Sequence, residues 1–248
     1  MTAPFDLTDD NVVVVIGTGA GGGVLANELA QKGVSVVALE AGGRHLPQEF
    51  INDEWESFGQ LAWLDPRTTS GDWRFAKDFS GLPAWIVKSV GGTTHHWAGA
   101  SLRFQDHEWK AKTTYGDVQG ANLLDWPIDP GEMDQWYTKA EDKLGVTRTG
   151  DRPGLPGNNN YKVFEKGAKA LGYEQVHTGR MAINSDENRE RSMCQQTGFC
   201  FQGCKWGAKW SAGYVDIPEG EATGNLEVRS KSHVARILHD DSGKITGV

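Results

Sequence analysis

Residues 11–44 read NVVVVIGTGAGGGVLANELAQKGVSVVALEAGGR. The order of apolar run, glycine turn, amphipathic segment and second apolar run predicts a strand, a tight turn, a helix and a parallel strand. Val12 to Ile16 are β-branched without interruption, the pattern of a strand covered on both faces of a parallel sheet. Gly17, Gly19 and Gly22 follow with the spacing G-x-G-x-x-G. In a dinucleotide site the first glycine makes the turn, the second lets backbone approach a pyrophosphate, and the third lets helix lie close on strand. Gly22 shares a helical face with Leu25, Ala26 and Leu29, which is expected to lie on the sheet, while Asn27, Glu28 and Gln31 are expected to face water. Gly33 ends the helix, and Val34 to Leu39 form a second strand that delivers Glu40. A carboxylate at that distance suits a ribose diol and repels a 2′-phosphate, which disfavours NADP. The free N–H groups and positive dipole end of the first helical turn are where a diphosphate would sit. Both FAD and NAD fit this unit.

The rest of the composition narrows the class. The chain has 248 residues, 38% of them apolar, with 32 glycines and 10 tryptophans, enough to bury a real core. A formal charge of -8 with no basic run argues against a nucleic-acid partner. The opening MTAPFDLTDD has neither the basic nor the apolar region of an export signal, and no apolar run is long enough to span a membrane. A cytoplasmic location is the default expectation, with the periplasm open only to export alongside a partner subunit. Three cysteines, all between 194 and 204, make no disulfide framework.

After Arg44 the βα rhythm breaks. Trp55, Trp63, Trp73 and Trp85 are scattered among Gly, Pro and Asp, which reads as long loops with apolar anchors. An NAD enzyme would normally continue with further βαβ units, whereas FAD-type folds interrupt the sheet early. Residues 89–104, SVGGTTHHWAGASLRF, can bring backbone N–H groups and imidazoles against a flat ligand; alone, Gly91-Gly92 reads equally as a turn and His95, His96 as loop histidines. Asp129, Pro130 and Glu132 predict a capped helix start with a capping box, and Met133, Trp136, Tyr137, Ala140 and Leu144 form an apolar stripe expected in the core, closed by Gly145. DRPGLPGNNN, residues 151–160, reads as a loop, followed by a helix over Tyr161 to Leu171. Leu226 and Val228 alternate with polar residues as a half-buried strand, and HVARILHDDSGKITGV reads as a hairpin turning at Asp240 to Gly243. The sequence stops inside the second hairpin strand, and a strand without its sequel suggests a truncated reading frame.

Together GTGAGGG with Glu40-Ala41-Gly42, VGGTTHHWAG, DWPI with AEDKLGV, the cysteine segment ending GAKWS, and NLEVRS before VARI resemble the glucose-methanol-choline (GMC) oxidoreductases, in order and over the N-terminal half of a typical member. Within the family the chain is most similar to bacterial FAD-dependent sugar and polyol dehydrogenases. The resemblance implies an α/β fold: an FAD-binding, Rossmann-like domain with loop-rich insertions and the beginning of a substrate-binding cap. The expected divisions are 1–128 for the first part of the FAD domain, 129–221 for a helical, loop-rich insertion with the cysteine segment, and 222–248 for returning strands.

The resemblance also implies roles. Gly17, Gly19 and Gly22 would hold the FAD pyrophosphate and Glu40 the adenosine ribose; Gly91, Gly92, Thr93 and Thr94 would lie along the flavin and its phosphate arm. His96 falls where some members attach the flavin covalently, and Val234 where a backbone meets the adenine. The implied reaction takes hydride from an alcohol, sugar or polyol carbon to flavin N5, with a base histidine near the C-terminus of family members; none of the seven histidines here matches it. Cys194, Cys200 and Cys204, spaced C-x5-C-x3-C, are similar to the segment holding a [3Fe-4S] cluster in certain sugar dehydrogenases, but Phe199, Phe201 and Trp206 replace a Pro-rich segment. A cluster relaying electrons to a cytochrome or quinone, structural free thiols, and a zinc site with His177 or His233 are the alternatives. An NAD-dependent oxidoreductase and a non-catalytic FAD-binding fragment or subunit are the rival functions.

Overall fold

In this computed structural model residues 5–6, 8–56, 87–186 and 191–248 are described. The tryptophans at 63, 73 and 85 lie outside the described residues, and Trp55 is no anchor, being 90% exposed. In chain order the helices and strands are β1 (Val13–Ile16), α1 (Ala20–Gln31), β2 (Val36–Leu39), α2 (Asp106–Trp109), α3 (Ala111–Tyr115), α4 (Pro130–Leu144), α5 (Asn159–Ala170), α6 (Asp216–Ala222), β3 (Leu226–Arg229), β4 (Leu238–His239) and β5 (Ile245–Gly247). They form two compact units, residues 1–98 with 195–248, and residues 99–194; the divisions expected from the resemblance fall after 128 and 221. No described helix is long and apolar enough to cross a membrane.

In the first unit β1, β2 and β3 pair in parallel in that order, with Val13 opposite Val36 and Val36 opposite Leu226. The central strand meets the expectation for a doubly covered strand: Val36, Val37 and Ala38 are fully buried. Burial of each valine contributes roughly 1.5–3 kcal/mol. The first strand does not. Val13, Val14 and Ile16 are 38–48% exposed and only Val15 is buried, because among the described residues β1 is an edge strand. Helix α1 packs on the sheet and on α6, and the core gathers Val15, Ala26, Ala30, Val36, Ala38, Val90, Ile217 and Leu226.

The buried face of α1 is rotated from the one expected. Gly23, Ala26, Asn27 and Ala30 are buried, while Leu25 is 52% exposed. Asn27 turns inward because it has polar partners there: its Nδ2 donates to Asp216 Oδ1 at 3.2 Å and to Glu219 Oε2 at 3.1 Å on α6. A hydrophobic stripe is a poor guide where a neighbouring helix offers buried acceptors. The hairpin β4–β5 is antiparallel as expected, its turn held by Asp240, whose carboxylate accepts from the Ser242 and Lys244 N–H groups.

In the second unit α4 starts and stops where the sequence places it. Asp129 caps it by accepting from Gly131 N at 2.8 Å, Pro130 takes the first position, and Gly145 closes it with φ 65°. Its expected apolar core face is not observed: Trp136 is 56% exposed, and the one buried residue of the helix is Glu141. That carboxylate is buried because Arg103 grips it with two bonds of 2.8 and 2.7 Å and Arg180 adds a third of 2.9 Å. The Arg103 side chain holds the Glu141 carboxyl below the usual carboxylate range.

Candidate functional site

The site lies in the first unit, at the C-terminal ends of β1 and β2, the place where open parallel sheets receive nucleotides. Gly17 leaves β1 with φ 84°, and its N–H donates to Leu39 O at 2.8 Å. A side chain at Gly22 would put its Cβ 2.0 Å from the Gly17 carbonyl oxygen and 3.3 Å from Val15 Cγ1, so the third glycine serves the close approach of α1 to β1. Around Gly17, Gly19 and Gly21 the opposite holds. A Cβ at any of these would meet nothing within 4 Å, and that open space faces the first turn of a 12-residue helix.

The GGTTHH segment comes to this turn. Gly91 N–H donates to Thr18 Oγ1 at 3.1 Å, and a Cβ on Gly92 would approach Gly19 Cα at 3.0 Å. Gly91 has φ 99° and Gly92 φ 55°, and from Gly92 to His95 the chain makes one 3₁₀ turn. Thr93 is exposed, but Thr94 is turned inward: its hydroxyl donates to Gly91 O at 2.5 Å, lies 2.8 Å from Ser211 Oγ and accepts from Ala212 N–H at 3.2 Å. Thr94 thus holds the turn from behind.

Glu40 is 6% exposed, and its Oε2 accepts from both the N–H and the hydroxyl of Thr18, at 3.0 and 2.8 Å, while Oε1 accepts from Gly42 N–H at 2.9 Å. A carboxylate has about four acceptor positions, so roughly one remains, on Oε1. Past Glu40 a cavity of about 510 Å³ is lined by Leu39, Ser232, His233, Val234, Arg236 and Leu238, among others, which places Val234 beside the end of β2.

Both histidines are 1% exposed. His95 Nε2–H donates to Val90 O at 2.7 Å, so its Nδ1 faces Ser211 Oγ as an acceptor at 3.3 Å. Burial lowers its pKa to about 3, so the ring is neutral. His96 Nδ1 lies 2.8 Å from Phe201 O; a carbonyl only accepts, so Nδ1 carries the proton. Phe50 closes over both rings, with centroids 5.2 and 6.1 Å away.

Cys194, Cys200 and Cys204 are of intermediate exposure and form no disulfide, and among the described residues no three His, Cys, Asp or Glu side chains are grouped so as to hold a metal ion. Cys194 belongs to the second unit, Cys200 and Cys204 to the first. Nothing among the described residues supports the [3Fe-4S] cluster or the zinc site suggested by the spacing. Residues that sequence reasoning passed over are central instead: Thr18, Ser211, Phe50 and the buried Lys209, of which Ser211 and Lys209 stand in the GAKWS stretch.

Known proteins share this arrangement of sequence. Paromamine 6'-oxidase of Streptomyces fradiae is 31% identical over 94% of the chain and 42% of its own length. The fructose dehydrogenase large subunit of Gluconobacter japonicus is 26% identical over 83% of the chain and 42% of its own. Among solved structures, pyridoxine 4-oxidase from Mesorbium loti superposes with a TM-score of 0.55 at 14% identity, over 94% of this chain and 44% of that one, which shows a shared fold. The chain spans about two-fifths of the length of these relatives. With the glycine turn, the GGTTHH segment against it and a family profile matching residues 75–248, the chain belongs to the GMC oxidoreductases.

Proposed function

We propose that the protein binds FAD in this cradle and serves the oxidation of a CH–OH group in a small alcohol, sugar or polyol. The observation that carries the reading is the approach of Gly91 and Gly92 to Thr18 and Gly19, which joins the nucleotide turn and the GGTTHH segment into one surface. Names of relatives support the substrate class: one is a paromamine 6'-oxidase, another a fructose dehydrogenase large subunit.

Each residue has a part that its geometry allows. The first-turn N–H groups of α1 and the open backbone at Gly17, Gly19 and Gly21 would receive the diphosphate. The remaining acceptor position of Glu40 would take a ribose hydroxyl, and the cavity beside Val234 would take adenine. The exposed Thr93 and the backbone of Gly91 and Gly92 would run along the phosphate arm toward the ring. FAD supplies the hydride acceptor when bound. His96 carries a proton on Nδ1 toward Phe201 O, and Nε2 would be the atom through which contact or covalent attachment to the flavin is made. The fructose dehydrogenase relative is a large subunit, which supports a partner subunit here as well.

The test is direct. Protein purified and exposed to FAD should turn yellow, quench flavin fluorescence with about 1:1 stoichiometry and release the flavin, or retain it covalently, on denaturation. A colourless protein that ignores FAD but binds NAD would replace this reading with the nicotinamide one.

A further inference from the structure

Lys209 is fully buried, yet the dinucleotide cradle makes no use of it. Its Nζ donates to His95 O at 2.8 Å, to Trp97 O at 2.6 Å and to Cys200 O at 2.7 Å, so all three of its N–H bonds end on main-chain carbonyls. An ammonium taken out of water at this depth is retained only where such acceptors replace its hydration. Burial lowers its pKa to about 8, so it remains charged at neutral pH.

The choice of carbonyls is informative. Two of them belong to the residues on either side of His96. The third, Cys200 O, precedes Phe201, whose own carbonyl accepts the His96 Nδ1–H at 2.8 Å. One ammonium therefore fixes the backbone that carries the imidazole and the backbone that receives its proton, which lie 105 positions apart in the chain. Phe50 packs against both: its ring stands edge-on to His96 at 6.1 Å, and a Cβ on Gly203 would clash with it. Packing alone would keep His96 buried, but it would not choose which ring nitrogen bears the proton. The Phe201 carbonyl makes that choice, and it follows directly on the Cys200 carbonyl that Lys209 holds.

We infer that Lys209 is a positioning residue for His96: by gathering the carbonyls of His95, Trp97 and Cys200 it holds the Phe201 carbonyl on Nδ1 and so fixes His96 as the Nδ1–H tautomer, with its lone pair on Nε2. A hydrocarbon in its place could fill the same volume and would leave three carbonyls without a donor and the two chain segments free to part. The importance of the fixed tautomer for a cofactor rests on the FAD reading above; the tautomer itself does not.

The experiment is imidazole ¹⁵N spectroscopy of the protein labelled at histidine, before and after FAD is added. The His96 signals, assigned with His96→Gln, should report one tautomer, protonated at Nδ1 and unprotonated at Nε2. In Lys209→Met, which keeps the stem and loses the donors, the single tautomer should be lost to a mixture of both, while His95, held by Val90 and Ser211, keeps its own. Lys209→Gln, with two donors left, should give an intermediate mixture and stands in if the methionine variant does not fold. A mixed tautomer in the wild type, or a His96 signal unchanged in whichever of the two variants folds, overturns the inference. Absence of any response to FAD with the tautomer behaviour intact would overturn the FAD reading and leave the role of Lys209 standing.

Discussion

Acidification should destabilise the first unit through one buried imidazole before the carboxylates titrate. His95 is 1% exposed, donates from Nε2 to Val90 O and has its pKa lowered from 6.5 to about 3, chiefly by burial. The unfolded chain therefore binds one more proton than the folded chain between about pH 6.5 and 3, and stability falls as pH falls through that window. The full slope is about 1.4 kcal/mol per pH unit. Integrated from neutral pH down to about 5, the loss is about 2 kcal/mol from this group alone. The other histidines also titrate here, so the clean measurement is a difference. Urea unfolding of wild type and His95→Gln would be followed by circular dichroism at about pH 7.5 and 5. The glutamine variant starts less stable, having lost the Ser211 contact, but its loss on acidification should be smaller than that of the wild type by about 2 kcal/mol. Equal losses in the two proteins would refute a neutral His95 in the fold.

Further outcomes follow from the same geometry. Gly22→Ala drives a methyl group onto the Gly17 carbonyl, so the turn must shift, and FAD affinity by fluorescence titration should fall tenfold or more, about 1.4 kcal/mol. Glu40→Gln presents an amide to donors that need an acceptor and should cost about 1–3 kcal/mol in urea unfolding, even without FAD. Glu141→Gln strips the shared carboxylate from Arg103 and Arg180 and should lower the stability of the second unit by a similar ~1–3 kcal/mol. Because Arg103 depresses the Glu141 pKa, that contribution is complete above the ordinary glutamate pKa and is lost only as pH falls below it through the lower folded value. Protein purified without oxygen should contain no stoichiometric iron or labile sulfide by colorimetric assay, as the three thiols are not grouped.

Features written in adjacent residues were legible in the sequence. The glycine turn, the Asp129-Pro130 start and Gly145 end of α4, and the Asp240 hairpin turn are decided by dihedral preferences and capping bonds within a few positions. What escaped was decided by distant partners. Asn27 looked like a surface residue until α6, 189 positions on, supplied Asp216. Glu141 looked like one charge among many and proved to be the anchor for two arginines. Lys209 carried no local pattern, as its acceptors are main-chain carbonyls that no side-chain motif announces. Apolar periodicity over-predicted burial where a face is uncovered, as on β1 and at Trp136. The cysteine spacing is a pattern along the chain alone and carried no geometry with it.

The polar contact between α1 and α6 has a consequence for how the cradle keeps its aim. Asp216 takes Asn27 Nδ2 on one oxygen and the Trp210 indole N–H, at 2.9 Å, on the other. A greasy seam would tolerate rolling or sliding of α1 by a few degrees, since oil has no preferred angle. A carboxylate pinned from two directions tolerates neither, because any slip strips a charge of its donors. The rear of the helix thus works as an indexing pin, and the orientation of its N-terminal tip, where the proposed diphosphate would sit, is set by a lock on the far side.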